Sequence, residues 1–330
     1  MPKLPRRKFL HLAAGAAALP TVSRIAWAQG YPTRPIRLVV PFPPGGAFDA
    51  IGRPWADRMK TQLGTVVVEN IGGGGSSLGA AAVARAQPDG YTILLGGGGA
   101  LVVNPVATSR PLYDPIKDFE PISTLGVHAF AIAVHPSLPA RTLPELIENA
   151  RSNPGELSYG SAGVGSLNHL TFELFKSLAD LPGIVHVPYR GAGPATADLV
   201  SGHIPIAIPS MNGQIHELHR ANKVRILAVT NPERLMGAPE LTTAVESGLP
   251  GMISQNLVGI LAPKGTPRPI IDQIAAATKL CLAERSHQEQ LIASGFELPP
   301  DFSPEQMRRF VEGEIARWTP VIKAVGLKLD

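Results

Sequence analysis

The sequence predicts an α/β fold of two lobes, each a mainly parallel sheet flanked by helices. Three observations lead there. Short β-branched runs alternate with amphipathic stretches of helical period along most of the chain, the pattern of strands joined by crossover helices. Glycine-bearing turns recur where a strand run gives way to a helical pattern, around residues 41–49, 159–169 and 189–199. A chain of 330 residues also exceeds what one small hydrophobic core usually supports.

Taken in order, residues 36–40 (Ile-Arg-Leu-Val-Val) read as a strand, 48–63 as a helix, 66–68 as a strand, 78–86 as a helix and 91–95 as a strand. That is a βαβαβ unit. Strands at 121–125 and 129–134 follow, then a helix over 143–151, a strand around 157–159 and a helix over 167–178. A second α/β unit is implied. Residues 184–187, 204–208 and 224–229 supply further strands, with a helix over 192–201 between the first two. One more strand at 257–261 precedes helices over 269–283, 287–294 and 304–325. Thr266-Pro267 and Ser303-Pro304 read as helix starts, with a hydroxyl cap beside a proline in the first turn. No fixed-period repeat and no long charged or low-complexity linker separates the units, so several passes of the chain should join them. The expected division is 30–127 with 255–330 as the first lobe and 128–254 as the second, with a ligand cleft between.

The first residues carry a different signal. Basic Arg6, Arg7 and Lys8 precede an apolar, Ala-rich run, and Ala26-Trp27-Ala28 supplies an A-x-A cleavage pattern, so residues 1–28 read as an export signal. The apolar run at 10–19 falls well short of the roughly 20 residues a spanning helix needs. Arg6-Arg7 followed by Phe9-Leu10 resembles a twin-arginine signal, although Pro5 stands where Ser or Thr is usual. The twin-arginine route is expected, with an ordinary secretory leader as the alternative; either ends outside the cytoplasm, in the periplasm.

Removing that leader changes the charge. Lys3, Arg6, Arg7, Lys8 and Arg24 lie within it, so the 30 basic side chains fall to 25 against 26 acids. A net charge of −1 does not support nucleic-acid binding. Cys281 is the single cysteine, which excludes an intramolecular disulfide and suits a buried thiol within a helix.

Three strand-to-helix turns carry the candidate chemistry. At 41–49, Gly45 and Gly46 let the backbone approach a ligand, and the next amides are the unpaired donors of a helix start, which favour an anion such as a carboxylate. Asp49 caps those amides or meets a ligand donor. At 159–169, small residues again expose amides, and Ser161 and Ser166 can donate hydroxyls. His169 could be a ligand donor, a general base or a packing residue. At 189–199, Arg190 could clamp a carboxylate or pair with an acid, and the amides of 191–193 are the better ligand candidates.

Other patterns count for less. Glycine runs at 72–75 and 96–99 lack G-x-G-x-x-G and any Walker lysine, so nucleotide binding through them is not expected. His216, Glu217 and His219 lack zincin spacing and read as a solvated helix face. No metal or cofactor is expected.

The ordered set of local motifs resembles the tripartite tricarboxylate transporter substrate-binding proteins, the Bug family. It begins with Tyr31-Pro32-Thr33-Arg34-Pro35 and the 41–49 turn, continues through Val67-Val68-Glu69-Asn70, Pro88-Asp89-Gly90-Tyr91-Thr92, Asn104-Pro105 and His135-Pro136-Ser137-Leu138-Pro139, and ends with Tyr189-Arg190-Gly191 and Ala262-Pro263-Lys264-Gly265-Thr266-Pro267. The resemblance implies a two-lobed Venus-flytrap binding protein, not an enzyme, which delivers a small organic acid to integral membrane permease subunits. Carried over by position, Gly45, Gly46, Ala47, Phe48 and Asp49, with Gly98, Gly99 and Ala100, would be first-lobe contacts. Ser161, Gly163, Val164, Gly165, Ser166, His169, Gly191, Ala192, Gly193 and Asp198 would be second-lobe contacts. Phe48 replaces a small hydroxyl residue common in the family. It either biases the cleft toward an aromatic or apolar-bodied acid or packs into the lobe. A monomer is expected. Two other functions compete: a receptor for a membrane sensor, and an exported hydrolase using Ser161 or Ser166 with His169 and Asp198.

Overall fold

Ten strands and ten helices, counted among the described residues 30–329 of the computed structural model, build two sheets. The leader at 1–28 lies outside the described residues. The strands are β1 (Ile36–Val40), β2 (Val66–Asn70), β3 (Thr92–Gly97), β4 (Phe119–Ala129), β5 (Ala131–Val134), β6 (Ser158–Ser161), β7 (Val185–Pro188), β8 (Ile206–Ala207), β9 (Arg225–Val229) and β10 (Gln255–Pro263). The helices are α1 (Ala47–Arg58), α2 (Ser77–Ala84), α3 (Asn104–Ala107), α4 (Leu143–Ser152), α5 (Leu167–Ala179), α6 (Ala192–Ser201), α7 (Gly213–Arg220), α8 (Arg268–Ala283), α9 (Arg285–Ala293) and α10 (Pro304–Val325).

The first sheet has the order β2-β1-β3-β10-β4 and the second β7-β6-β8-β5-β9. In the first, β1 pairs in parallel with β2 and β3, whereas β10 runs antiparallel to β3 and β4. In the second, β6 pairs in parallel with β7 and β8, and β5 runs antiparallel to β8 and β9. Both sheets are therefore mixed, with parallel pairing confined to one side, where the sequence led us to expect mainly parallel strands. The direction of a strand that returns to a sheet is set by tertiary pairing, and β10 carries no local mark of it.

Between β4 and β5 stands one residue, Phe130, so what reads as a single strand at 129–134 belongs to both sheets. The return passage is fastened to it. Phe130 N–H donates to Thr230 Oγ1 at 2.9 Å and Thr230 N–H donates to the Phe130 carbonyl at 2.9 Å. Thr230 also donates its hydroxyl to the Ser254 carbonyl at 2.6 Å, just before β10. Backbone groups buried at the crossing are thus satisfied, as burial requires.

Apolar packing completes the frame. Trp55 and Ile51 of α1 are fully buried, and the Trp55 indole N–H donates to Thr278 Oγ1 of α8 at 3.2 Å. Trp318 of α10 lies in one continuous core cluster with Leu101 and Val102 after β3 and with Leu167 and Leu170 of α5. Ser303 caps α10 by accepting from Gln306 N–H at 3.2 Å, as its position before a proline predicts. Thr266 does not cap: its hydroxyl donates back to the Pro263 carbonyl at 2.8 Å, and α8 starts after Pro267.

Candidate functional site

The turn from β1 to α1 presents backbone. Gly46 takes an extended conformation as the residue that starts α1, with no side chain capping it. Gly45 has φ +89, a left-handed conformation that glycine adopts without strain, and a Cβ there would meet nothing within 4 Å. Among the described residues, the amides of Gly46, Ala47 and Phe48 have no protein partner. They sit at the positive end of the helix dipole. Asp49 is buried and holds its own loop together, accepting from Gly45 N–H, from Asn70 Nδ2 at 3.1 Å and from Arg53. Phe48 is 6 % exposed, its ring 4.5 Å from that of Phe42, and it fills the space over Gly97 that any Cβ would occupy. Of the two roles set out for Phe48, packing is the one this geometry describes.

The glycines read as a loop at 96–99 lie otherwise. Gly96 and Gly97 complete β3, and a π-helical turn runs over Gly99–Val103. Gly98 N–H already donates to Asn256 Oδ1 at 2.8 Å, and Asn256 Nδ2 lies 3.1 Å from His128 Nε2. Burial pushes the His128 pKa down to about 4, so the ring is a neutral partner in that chain. Ala100 is buried and its carbonyl accepts from the Tyr113 hydroxyl at 2.7 Å. A Cβ on Gly99 would lie 3.0 Å from Ser76 Oγ, so this stretch of wall is close-packed, and of its three amides that of Gly98 is already taken within the protein.

The second sheet contributes side chains. Ser161, at the end of β6, is 1 % exposed; its Oγ accepts from Gly163 N–H at 3.1 Å and stands 2.7 Å from His186 Nε2 on β7. Gly163 and Gly165 have φ +123 and +76, and the exposed Val164 between them tops the turn. Ser166 is the cap of α5, accepting from His169 N–H at 3.1 Å and donating to the Gly163 carbonyl at 2.7 Å. The buried His169 stacks on His186 with ring centroids 4.1 Å apart, and its Nδ1 accepts from Gly165 N–H at 3.4 Å. Burial lowers the pKa of His169, and burial together with the neighbouring His169 pushes His186 down to about 4.

The third turn lies beside the second: Gly191 N–H donates to the Ala162 carbonyl at 3.2 Å. Gly191 has φ +114, and Cβ atoms on Gly191 or Gly193 would meet nothing within 4 Å. The amides of Ala192 and Gly193 have no partner among the described residues. Asp198 accepts from the Tyr189 hydroxyl at 2.7 Å, which holds its carboxyl below the usual range, while Tyr189 is pushed up to about 12 by burial and by that hydrogen bond. The exposed Arg190 makes no ion pair among the described residues.

The geometry places the 161–169 and 191–193 turns side by side and sets Leu167, which opens α5, against Gly98, a Cβ on which would lie 2.9 Å from the leucine side chain. Among the described residues no hydrogen bond joins 45–49 to 191–198. Val164 and Gly165 instead share a cavity of about 420 Å³ with Gly74, Gly75, Ser77 and Asn104. Sequence reading weighs the 72–75 glycines only as a nucleotide loop and Asn104-Pro105 only as a family motif, so it does not assemble this wall. His186 reads in sequence only as one of several histidines near strand ends, because its partners Ser161, Tyr159 and His169 sit on other elements.

The arrangement does not assemble the hydrolase constellation considered from sequence. Ser161 meets His186 rather than His169, Ser166 is occupied in capping, and Asp198 faces Tyr189 and His203 rather than either imidazole. His216 and His219 point to different partners, Glu240 Oε1 at 2.6 Å and Ile226 N–H at 3.2 Å. Burial raises the Cys281 thiol to about 12, as an unreactive core thiol requires.

Two mixed sheets bridged by crossing strands, with glycine-bearing helix starts on each, define the two-lobed α/β architecture of solute-binding proteins. The family model described as "Tripartite tricarboxylate transporter family receptor" matches residues 51–327, and the chain belongs to that family. The periplasmic binding protein BugD superposes with a TM-score of 0.80 at 34% identity, over 90% of this chain and 99% of BugD. R. palustris Rpa4515, solved with adipate, has a TM-score of 0.83 and 35% identity over 91% of this chain and 99% of its own. MatC (Rpa3494) from Rhodopseudomonas palustris, with bound malate, has a TM-score of 0.80 and 30% identity over 88% and 100%.

Proposed function

We propose that this chain is an exported, periplasmic receptor that captures a small organic carboxylate between its two lobes and hands it to a membrane permease. The observation that carries the reading is the pair of open helix starts. Unpartnered amides at Gly46, Ala47 and Phe48 on one sheet, and at Ala192 and Gly193 on the other, offer an anion several neutral donors with helix dipoles behind them. The lobes are taken to divide at 127/128 and 254/255, next to the Phe130–Thr230–Ser254 crossing. Adipate and malate in the related structures support a carboxylate as cargo. Among the described residues no helix is long and apolar enough to cross a membrane, so the permease would be a separate chain.

A thermal-shift panel of adipate, malate, citrate and benzoate on the leaderless protein tests the binding step. A ligand at one hundred times its Kd stabilises the folded form by about 2.7 kcal/mol, a rise of several degrees. A panel in which no carboxylate raises the melting temperature, while an uncharged solute does, would overturn the reading. Delivery is tested by uptake of the labelled acid in cells with and without this chain, where transport is expected to require it.

A further inference from the structure

We infer that His186 is a positioning residue: its Nε2–H donates to Ser161 Oγ and thereby turns the single Ser161 proton toward the bound carboxylate. The inference rests on the carboxylate reading above and adds to it a residue that touches no ligand. Ser161 Oγ has one proton and two lone pairs. Gly163 N–H fills one lone pair at 3.1 Å, and His186 Nε2 stands at 2.7 Å. If Nε2 accepts, the serine proton is spent on the ring and the hydroxyl has nothing to donate to an anion. If Nε2 donates, both lone pairs are filled, and the proton has only the Gly163 carbonyl at 3.3 Å as an alternative inside the protein. An ionised ligand oxygen that reaches the buried Ser161 outcompetes that long contact.

The surroundings hold the imidazole in place for this. His186 stacks on His169 at 4.1 Å and 16°, and on Tyr159 at 4.8 Å and 22°. Tyr159 is fixed in turn by its hydroxyl, which donates to Glu173 Oε1 at 2.7 Å, and Glu173 pairs with Lys176 at 2.9 Å. The groups facing His186 are thus Tyr159 from β6 and His169, Glu173 and Lys176 from α5. Glu173 and Lys176 oppose each other, and burial keeps both imidazoles neutral at pH 7. A neutral donor adds direction without a fixed charge, so its contribution should stay constant from pH 5.5 to 8.

The test has two arms. In the first, binding of adipate and malate is measured by calorimetry for the wild type, Ser161→Ala, His186→Phe, His186→Gln and the Ser161→Ala/His186→Phe double variant. A lost charge-assisted hydrogen bond weakens binding about tenfold. Ser161→Ala and His186→Phe are each expected to do so, the double variant no more than either alone, and His186→Gln, which restores an N–H donor, to recover most of it. Additive losses in the double variant, or unchanged affinity in His186→Phe, would overturn the inference. The second arm needs neither ligand nor variant. Imidazole nitrogen-15 spectra of the wild-type protein should show His186 protonated at Nε2, and protonation at Nδ1 alone would overturn the inference. If the wild type binds no carboxylate at all, the functional reading fails, while the spectra still decide where the proton lies.

Discussion

The two sheets repeat one plan, parallel pairs on one side and antiparallel pairs on the other, yet they offer different chemistry at their strand ends. In the first sheet the strands of the antiparallel side are 11 and 9 residues long, and its only titratable group in the open β1–α1 turn, Asp49, is turned inward to brace the loop. What remains exposed and polar is backbone. In the second sheet the strands are 2 to 5 residues long, and the turn after β6 is lined by Ser161, His169 and the nearby His186. Backbone amides always donate, whereas a hydroxyl donates only where its neighbours direct it. The open donors of the first turn are therefore all fixed by covalent structure, whereas the second sheet adds to its amides at 192–193 a hydroxyl whose direction is set by hydrogen bonding.

That contrast can be broken by experiment. The largest effect should come from the frame of the first lobe: Trp55→Ala removes a fully buried indole and its bond to Thr278, and is expected to cost about 3 to 5 kcal/mol in chemical denaturation. Acid comes next. The unfolded chain takes up a proton on each histidine near pH 6.5, whereas folded His128 resists until about 4, so its stability contribution is complete above 6.5 and is lost as the pH falls toward 4. The loss approaches about 3 kcal/mol, as an upper bound, for this fully buried ring, and His287, pushed to about 4 by burial, adds to it. His128→Leu should flatten the acid limb of a melting-temperature profile. Were the limb unchanged, the neutral chain through Asn256 would be wrong.

Smaller effects separate the lobes more sharply. Gly191→Ala forces a side chain to φ +114 and should cost about 1 to 2 kcal/mol while weakening carboxylate binding, because the Ala192 and Gly193 amides shift. Asp49→Ala should be the mildest, about 1 kcal/mol in stability, as for a lost cap, with ligand affinity following only through the loop. A loss of binding larger than that of Gly191→Ala would move Asp49 from brace to ligand contact.

Much of this architecture was legible locally. Val, Ile and Leu runs marked β1 and β9, and the amphipathic periods marked α4, α6 and α10, with bounds that differ by at most one residue from those observed, while β10 runs two residues further at each end than its apolar run. Where the reading failed, the cause lay elsewhere in the chain. Gly96 and Gly97 looked like loop residues, but Gly97 is a strand residue whose missing Cβ admits the Phe48 ring and the Leu257 carbonyl. The approach of a side chain 49 positions away leaves no trace beside the glycine. His186 was one of several histidines scattered near strand ends; only the register that sets Tyr159 opposite His186 brings it to Ser161. Glycine-bearing turns were visible as donors of amides, but which amides remain free depended on partners such as Asn256 and Ala162, far off in sequence.

The fastening of Phe130, Thr230 and Ser254 has a mechanical consequence. Both passages of the chain between the sheets are stitched at one threonine, so the pair of strands acts as a single bearing rather than as two independent straps. Bodies joined at a bearing rotate more readily than they separate, and travel grows with distance from the axle. Replacing Thr230 by Val removes the stitching hydroxyl while keeping the shape and the backbone bonds to Phe130 and Ser254, and should loosen the joint without parting it.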